Sequence, residues 1–166
     1  MNVRTRPETG RKGNPPATIQ ALFWQQAQRT PHAVALLDGQ QQVSYAELAQ
    51  AAAGVAAVLR SHGAGPGAIV AVCAERSAAL VAGLLGCLMT GAAYLPLDPA
   101  YPLARLAFML EDSQARLLLT QHELADRLPA FTGGTVYLED VMPPTGAPDL
   151  QNNLLAGAVD DPDPAH

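Results

Sequence analysis

The chain alternates stretches that favour a helix with short apolar runs, and this alternation limits the possible folds more than any other feature. Residues 83–121 show it best, because they join the end of an apolar helix, a short apolar run and a proline-rich turn. Apolar runs of four to six residues are typical of strands buried on both faces, as in parallel sheets covered by helices. The alternation therefore predicts an α/β fold of layered helices and mostly parallel strands.

Capping residues mark where the helices should begin and end. Ser44 and Glu47 have the spacing of a capping box, in which each side chain accepts a hydrogen bond from the other residue's main-chain amide. Gly63 and Gly91 follow two apolar helical stretches, at positions where a left-handed glycine ends a helix. We expect helices over residues 18–28, 44–62, 77–90 and 102–111.

Strand signals fall between these helices. Asp38 and Gly39 form a turn pair between two short apolar stretches, which predicts a hairpin. The uninterrupted run at residues 68–73 predicts a strand buried on both faces. We expect strands at residues 34–37, near residue 43, and over 68–73, 94–97, 117–120 and 135–138.

The two ends of the chain differ in composition from its middle. Residues 1–17 mix glycine, proline and charge without periodicity, and we expect a disordered leader there. Residues 141–166 contain Pro143, Pro144, Pro148, Pro162 and Pro164 among polar residues. This composition predicts a proline-rich loop or tail, so the folded domain should span residues 18–140.

Charge and hydropathy exclude several classes of protein. The net charge of -5 provides no broad basic surface for phosphates, so we expect no nucleic-acid partner. The longest apolar stretch, residues 78–89, is too short and too rich in glycine to cross a bilayer. No apolar run follows the basic residues of the leader, as a secretory signal would require. We expect a cytoplasmic protein without a membrane partner.

Cysteine and histidine spacing indicates neither a disulfide framework nor a metal site. Cys73 and Cys87 lie inside apolar runs, and both are expected in the core. The histidines are scattered at spacings that suit no metal and pair with no cysteine or serine nucleophile. They are His32, His62, His122 and His166. The sequence therefore predicts no metal-binding residues.

Several polar residues are better explained by structure than by catalysis. Asp98 precedes a proline and is expected to bond its own main chain and hold the following turn. Glu75 and Arg76 are expected to pair with one another or to cap the helix at Ser77. Tyr45 is expected to pack its ring on the sheet.

One glycine pair lies beside threonine hydroxyl groups. Phosphate-binding loops combine the same residue types, so the segment is a candidate for such a loop. The segment Phe131–Thr135 contains Gly133 and Gly134 between two threonines. No lysine follows it, and the order strand, loop, helix that such loops require is absent. We expect a plain turn there.

Three stretches together resemble the beginning of an adenylation domain of a nonribosomal peptide synthetase. They are VSYAEL at residues 43–48, AERS at 74–77 and MTGAAYLPLDPAYPLARL at 89–106. The resemblance is collinear and covers roughly residues 19–166. Acyl-CoA synthetases and luciferases share the fold, but LDPAYP at residues 97–102 favours the peptide synthetases. The fold implied is the incomplete N-terminal subdomain of an AMP-binding, adenylate-forming enzyme.

The resemblance also implies which chemistry lies elsewhere. Intact enzymes of this family form an aminoacyl adenylate from ATP with Mg²⁺ and then load the phosphopantetheine thiol of a carrier protein. Their phosphate loop follows a stretch like residues 160–166, and the substrate pocket and catalytic lysine come later. We therefore expect a truncated fragment, inactive alone, with no catalytic or cofactor-binding residues and no cofactor. Its expected partners are the remainder of the adenylation domain and a peptidyl carrier domain.

Two alternatives stay open, and one departure from the family pattern is visible. The chain could belong to an acyl- or aryl-acid ligase of the same superfamily, or it could be a non-catalytic scaffold or a split half that complements a separate chain. The family usually has Leu-Lys-Ala-Gly where this chain has Leu88-Met89-Thr90-Gly91. A cation at a helix end complements the helix dipole, so losing this lysine should change stability by about 0.3–1 kcal/mol.

Overall fold

The N-terminal elements of the computed structural model, which describes residues 18–142, are a helix and a hairpin. Helix α1 (Ile19–Arg29) begins where the Thr18 hydroxyl accepts a hydrogen bond from the Ala21 amide. Strands β1 (Val34–Asp38) and β2 (Gln41–Ser44) pair in antiparallel fashion. Gly39, at the turn between them, has a φ of +59°, as the Asp-Gly pair predicted. The predicted helix and hairpin are confirmed.

The next two helices form one layer. Helix α2 (Tyr45–Ser61) has the complete capping box of Ser44 and Glu47, and helix α3 (Ala78–Thr90) is capped by the Ser77 hydroxyl. Gly63 and Gly91 follow the two helices with φ values of +89° and +84°. The left-handed conformation predicted for both glycines is therefore confirmed.

Within residues 18–142, four short strands form a wholly parallel sheet. They are β3 (Ile69–Val72), β4 (Ala93–Pro96), β5 (Leu117–Thr120) and β6 (Gly134–Tyr137). Their spatial order is β4-β3-β5-β6, and each neighbouring pair is parallel. The predicted α/β class is confirmed. Strand β6 begins and ends one residue earlier than predicted, because Leu138 already belongs to the next helix.

Three elements after β4 were predicted less well. Helix α4 (Leu103–Ser113) extends two residues past its predicted end at Glu111, and Gln114 ends it with a φ of +54°. A 3₁₀ helix (His122–Arg127) and the short helix α5 (Leu138–Val141) were not predicted. Both follow a strand directly and lack a side-chain cap, so no capping signal in the sequence marks them.

Helices cover both faces of the sheet. The side chains of Leu117 and Leu119 pack with Leu59 of α2, whereas Leu118, between them in β5, packs with Leu106 of α4. This alternation follows from the two-residue period of a strand. The core therefore has two layers, one between the sheet and α2–α3, and one between the sheet and α4 with the 3₁₀ helix.

Helices α2 and α3 approach each other closely at a glycine. A Cβ atom at Gly86 would lie 2.7 Å from Cγ1 of Val55 and 3.0 Å from the main-chain oxygen of Ala52. Val55 and Ala52 are both fully buried. The alanine-rich face of α2 therefore packs against α3, and any side chain at position 86 would force the helices apart.

A third cluster attaches α1 and the hairpin to the α2–α3 layer. Val43 and Leu48 are buried there, and Phe23 of α1 packs against the cluster. The ring of Tyr45, predicted to pack on the sheet, instead pairs with Phe23 at a centroid distance of 5.8 Å. The ring lies at the start of α2, which places it beside α1.

The predicted leader, residues 1–17, lies outside the described residues, and so do residues 143–166 of the predicted tail. The first two tail residues are part of the fold, since Val141 ends α5 and Met142 packs against the core. Within residues 18–142, no helix combines the length and the apolar character that crossing a membrane requires.

Candidate functional site

The carboxyl ends of the four parallel strands meet at one edge of the sheet, which we name the carboxyl edge. Open α/β sheets bind their ligands outside this edge, where the strand order reverses. With the order β4-β3-β5-β6, the reversal lies between β3 and β5. The segments that form the edge are residues 73–77, 97–102, 121–127 and 138–142.

Polar groups at the reversal point bond one another. The side-chain oxygen of Gln121 accepts a hydrogen bond of 2.7 Å from the amide of Glu75. Arg127 donates to the Glu75 carboxylate at 3.4 Å and to the main-chain oxygen of Pro99 at 3.3 Å. These contacts tie together the loops that follow β3, β4 and β5.

The partner of Glu75 differs from the predicted one. Its carboxylate pairs with Arg127 and not with Arg76, and the helix after it is capped by the Ser77 hydroxyl, which accepts from the Leu80 amide at 3.3 Å. Both side chains of the Glu75–Arg127 pair are about half exposed. An ion pair of this exposure contributes at most about 1 kcal/mol to stability, so its main effect is to position loops.

Asp98 holds the turn that follows β4. Its carboxylate accepts a hydrogen bond of 2.9 Å from the Ala100 amide, and its main-chain oxygen accepts one of 3.0 Å from the Tyr101 amide. This is the geometry of an aspartate that bonds its own main chain two residues on. The anchoring role predicted for Asp98 is confirmed.

His122 joins the end of β5 to α5. Its Nε2 lies 2.8 Å from the Asp140 carboxylate, and its ring stacks on Tyr137 with centroids 3.9 Å apart. Its amide also donates to the Glu139 carboxylate at 3.3 Å. The sequence pattern did not reveal this cluster, because its members lie on different elements and have no characteristic spacing.

Metal binding finds no support in the described part of the chain. Across residues 18–142, no three histidine, cysteine or acidic side chains are grouped closely enough to hold a metal ion. His32 and His62 lie in turns far from His122 along the sequence. His166 lies outside the described residues.

The N-terminus of α3 lies beside the carboxyl edge, where helix amides could bind an anion. The Ala78 amide donates a hydrogen bond of 2.8 Å to the carboxylate of Asp38, which belongs to the hairpin. The Leu80 amide donates to Ser77. Two of the first amides of α3 are therefore taken by the protein's own side chains, one of them a carboxylate.

The glycine pair lies at the opposite edge of the sheet. Gly134 begins β6, and its amide donates to the main-chain oxygen of Arg116 at 3.0 Å. A Cβ atom at Gly133 would collide with that same oxygen and with the ring of Phe131. Close approach of the main chain explains these glycines. The segment is a bend that leads into β6, and not the plain turn that was predicted.

Both cysteines lie in the core, as predicted. Cys73 and Cys87 are fully buried and form no disulfide. Burial raises the pKa of the Cys73 thiol to about 11 and that of Cys87 to about 12. Neither thiol is therefore a nucleophile at neutral pH.

The matches with known proteins agree with this architecture. Residues 23–162 match the family described as AMP-binding enzyme. The chain is 44% identical over 135 residues to a mycosubtilin synthase polypeptide of Bacillus subtilis, and the match covers 81% of this chain and 5% of that protein. It is 48% identical over 124 residues to tyrocidine synthase 3 of Brevibacillus parabrevis, with 74% and 2% covered.

Solved structures give the same assignment. The nonribosomal peptide synthetase FmoA3 in its AMPPNP-bound form superposes with a TM-score of 0.71 at 36% identity, covering 75% of this chain and 14% of that one. The N-terminal subdomain of Klebsiella oxytoca NpsA superposes with a TM-score of 0.67 at 28% identity, covering 74% and 31%. The chain belongs to the AMP-binding enzyme family, and its fold matches part of the N-terminal subdomain of peptide synthetase adenylation domains. It spans 5% of the mycosubtilin synthase polypeptide and 2% of tyrocidine synthase 3.

Proposed function

We propose that the chain is the first part of an amino-acid-activating adenylation domain of nonribosomal peptide synthesis. The observation that carries this proposal is the 44% identity with the mycosubtilin synthase polypeptide over 81% of the chain. FmoA3, a structural relative, has been solved with α-methyl-L-serine-AMP bound, so that protein holds an aminoacyl adenylate. In the intact enzyme the described residues would have a structural role, and the segments that carry the catalytic groups would pack against them.

The proposed structural role is supported by the polar groups that the described residues present. Adenylation joins a carboxylate to the α-phosphate of ATP, and the two anions meet only where amides and cations offset their charge. In residues 18–142 the Ala78 and Leu80 amides at the start of α3 are engaged by Asp38 and Ser77, and no three histidine, cysteine or acidic side chains are grouped closely enough to hold a metal ion. We propose that parts of the adenylation domain outside residues 18–142 hold ATP and Mg²⁺.

The partners follow from the same family. An artificial fusion of NpsA with ThdA is an adenylation–PCP di-domain and is a structural relative at 28% identity. We propose that this chain acts with the remainder of its adenylation domain and with a carrier domain, which supplies the phosphopantetheine thiol. This proposal places the protein in the cytoplasm, where ATP and amino acids are present.

The test is amino-acid-dependent exchange between ATP and pyrophosphate by the purified 166-residue chain. We expect no exchange above a protein-free control with any of the common amino acids. Calorimetry with ATP should likewise show no binding. Robust exchange by this chain alone would overturn the proposal that catalysis requires further residues.

An aryl-acid ligase is the second candidate. NpsA has been solved with 3-hydroxyanthranilyl-AMSN and its N-terminal subdomain with 3-hydroxybenzoyl-AMSN, at 27% and 28% identity to this chain. The 36% identity to FmoA3 favours amino acids. Sequencing the DNA that follows the His166 codon separates the two, because the pocket that selects the acid would be encoded there. The same sequence would identify a scaffold or split half, which would lack an encoded phosphate loop.

A further inference from the structure

Residues 121–127, which follow β5, contact the loop that follows β3 at two points. The side-chain oxygen of Gln121 accepts a hydrogen bond of 2.7 Å from the main-chain amide of Glu75. Arg127, at the other end of the same segment, donates to the Glu75 carboxylate at 3.4 Å. Leu124, between them, is 1% exposed and belongs to the core. The segment is therefore fixed to the core, and it bonds both the main chain and the side chain of Glu75.

The guanidinium of Arg127 also reaches the loop that follows β4. One of its terminal nitrogens bonds Glu75, and the other donates to the main-chain oxygen of Pro99 at 3.3 Å. Pro99 lies within the turn that the Asp98 carboxylate holds through the Ala100 amide. A guanidinium presents its donors in a rigid fork, whereas a lysine has a single nitrogen. Arg127 therefore links two loops at once, and its shape is suited to that link.

Stability does not explain this link. Both side chains of the ion pair are about half exposed, and a pair of this exposure contributes at most about 1 kcal/mol. Ordering two long side chains also costs conformational entropy. The link lies where the strand order reverses, between β3 and β5, and it joins the loops after β3, β4 and β5. In open α/β sheets, loops at this point position ligands and reacting groups.

We propose that Arg127 is a positioning residue for the adenylation reaction. It fixes the loops after β3 and β4 relative to one another, in the arrangement that the catalytic segments outside residues 18–142 require. The proposal rests on the proposed function, because those segments belong to the remainder of the adenylation domain. Arg127 acts through Glu75 and Pro99 and does not itself touch the substrates. Without Arg127 the domain stays folded, but the loops lose their common position and adenylate formation slows.

The two native cysteines report on these loops separately. Cys73 is fully buried and lies in the same core cluster as Leu97, which begins the loop after β4, and Leu124 of the segment 121–127. Cys87 is also fully buried, but it belongs to the other layer, between the sheet and α2–α3. Loosening of the linked loops should therefore expose Cys73 and leave Cys87 protected.

The first test measures maleimide labelling of both cysteines in the 166-residue chain. We expect Arg127→Ala to speed the labelling of Cys73 by at least about tenfold and that of Cys87 by less than about twofold, because only the loops open. Burial raises the pKa of Cys73 to about 11, and the charge of Arg127 acts in the opposite direction. Removing that charge alone would slow the reaction of the thiol, so faster labelling indicates exposure.

Arg116→Ala is the matched control, because it removes another exposed arginine, one that precedes β5 at the opposite edge of the sheet. It should leave both labelling rates unchanged. Three results would overturn the proposal. Unchanged labelling of Cys73 in Arg127→Ala would show that the arginine does not hold the loops, and equal acceleration at Cys87 would show a general loss of stability. Wild-type protection in Arg127→Lys would show that the fork is not needed.

The second test measures the reaction. Residues 18–142 replace the matching stretch of the adenylation domain in the mycosubtilin synthase polypeptide, and Arg127→Ala is introduced into that graft. We expect kcat for exchange between ATP and pyrophosphate to fall by at least about tenfold. KM for the amino acid should change by less than about threefold, because the pocket for the acid is expected outside these residues.

An unchanged kcat in a folded Arg127→Ala graft would overturn the proposal. A folded graft that is inactive with Arg127 in place counts against the proposed function. In that case, faster labelling of Cys73 in the 166-residue Arg127→Ala chain still supports the position that Arg127 gives to the loops, and unchanged labelling overturns it.

Discussion

Arg60, on the last turn of α2, donates a hydrogen bond from its guanidinium to the main-chain oxygen of Met89 at the end of α3. Met89 stands where related adenylation domains usually have a lysine, and the last turn of α3 contains no basic residue. The neighbouring helix therefore supplies the cation that α3 lacks. The contact places a positive charge at the C-terminus of α3, where it stabilises the helix dipole in place of a lysine on α3 itself.

Replacing Arg60 should consequently destabilise the protein. We expect Arg60→Ala to lower the free energy of unfolding by about 0.5–2 kcal/mol, because one charged hydrogen bond and one favourable dipole contact are lost. Met89→Lys should gain less than about 0.5 kcal/mol, since Arg60 already serves that helix end. Urea unfolding measures both. A wild-type midpoint for Arg60→Ala would show that the contact contributes nothing.

The Asp38 carboxylate connects the hairpin to the first turn of α3. We expect Asp38→Ala to cost about 1–2 kcal/mol of unfolding free energy, because the partly buried Ala78 amide loses its acceptor. Asp38→Asn keeps an acceptor oxygen and should cost less. If both substitutions left the urea midpoint unchanged, the hairpin would not be attached through this residue.

Gly86 tests the packing of α2 on α3. We expect Gly86→Ala to destabilise the protein by about 1–3 kcal/mol, because its Cβ would meet Val55 at 2.7 Å. Gly65→Ala is the control, since a Cβ at Gly65 would meet no atom within 4 Å. Gly86→Ala should cost less stability when it is made in a Val55→Ala protein than when it is made in the wild type, because the side chain that the new Cβ meets is then absent. Equal thermal midpoints for Gly86→Ala and Gly65→Ala would contradict the close approach.

The capping box of α2 should make stability depend on pH. Hydrogen bonds from the amide and then the hydroxyl of Ser44 lower the pKa of Glu47. The stabilisation is complete above the ordinary glutamate pKa and is lost as the pH falls through the lowered value. Between about pH 5 and pH 3, we expect Glu47→Gln to lose less stability than the wild type. Equal slopes for Glu47→Gln and the wild type would rule out the effect.

Most of the fold could be predicted from local signals. The strands β3, β4 and β5 follow from short apolar runs, and the ends of α2 and α3 follow from Ser44, Ser77 and their closing glycines. These signals act within a few residues, so the sequence contains them directly. Some predicted element ends were wrong by one or two residues. The predicted end of β6, for example, was wrong by one residue because α5 begins there.

Contacts between distant residues could not be predicted in this way. The partner of Glu75 is 52 positions further along the chain, and the amide that donates to Asp38 is 40 positions away. Their pairing depends on which strands become neighbours, and no spacing rule specifies it. The same reason explains why the His122–Asp140 contact was not predicted.

The central claim is that this chain supplies the first part of an adenylation domain and that its role there is structural. A graft into a related domain tests the claim most directly. Residues 18–142 would replace the matching stretch of the adenylation domain in the mycosubtilin synthase polypeptide, which this chain matches at 44% identity. We predict that the graft exchanges pyrophosphate with ATP in the presence of that domain's own amino acid, and that Gly86→Leu in the graft abolishes the exchange. A folded graft without any exchange would contradict the claim.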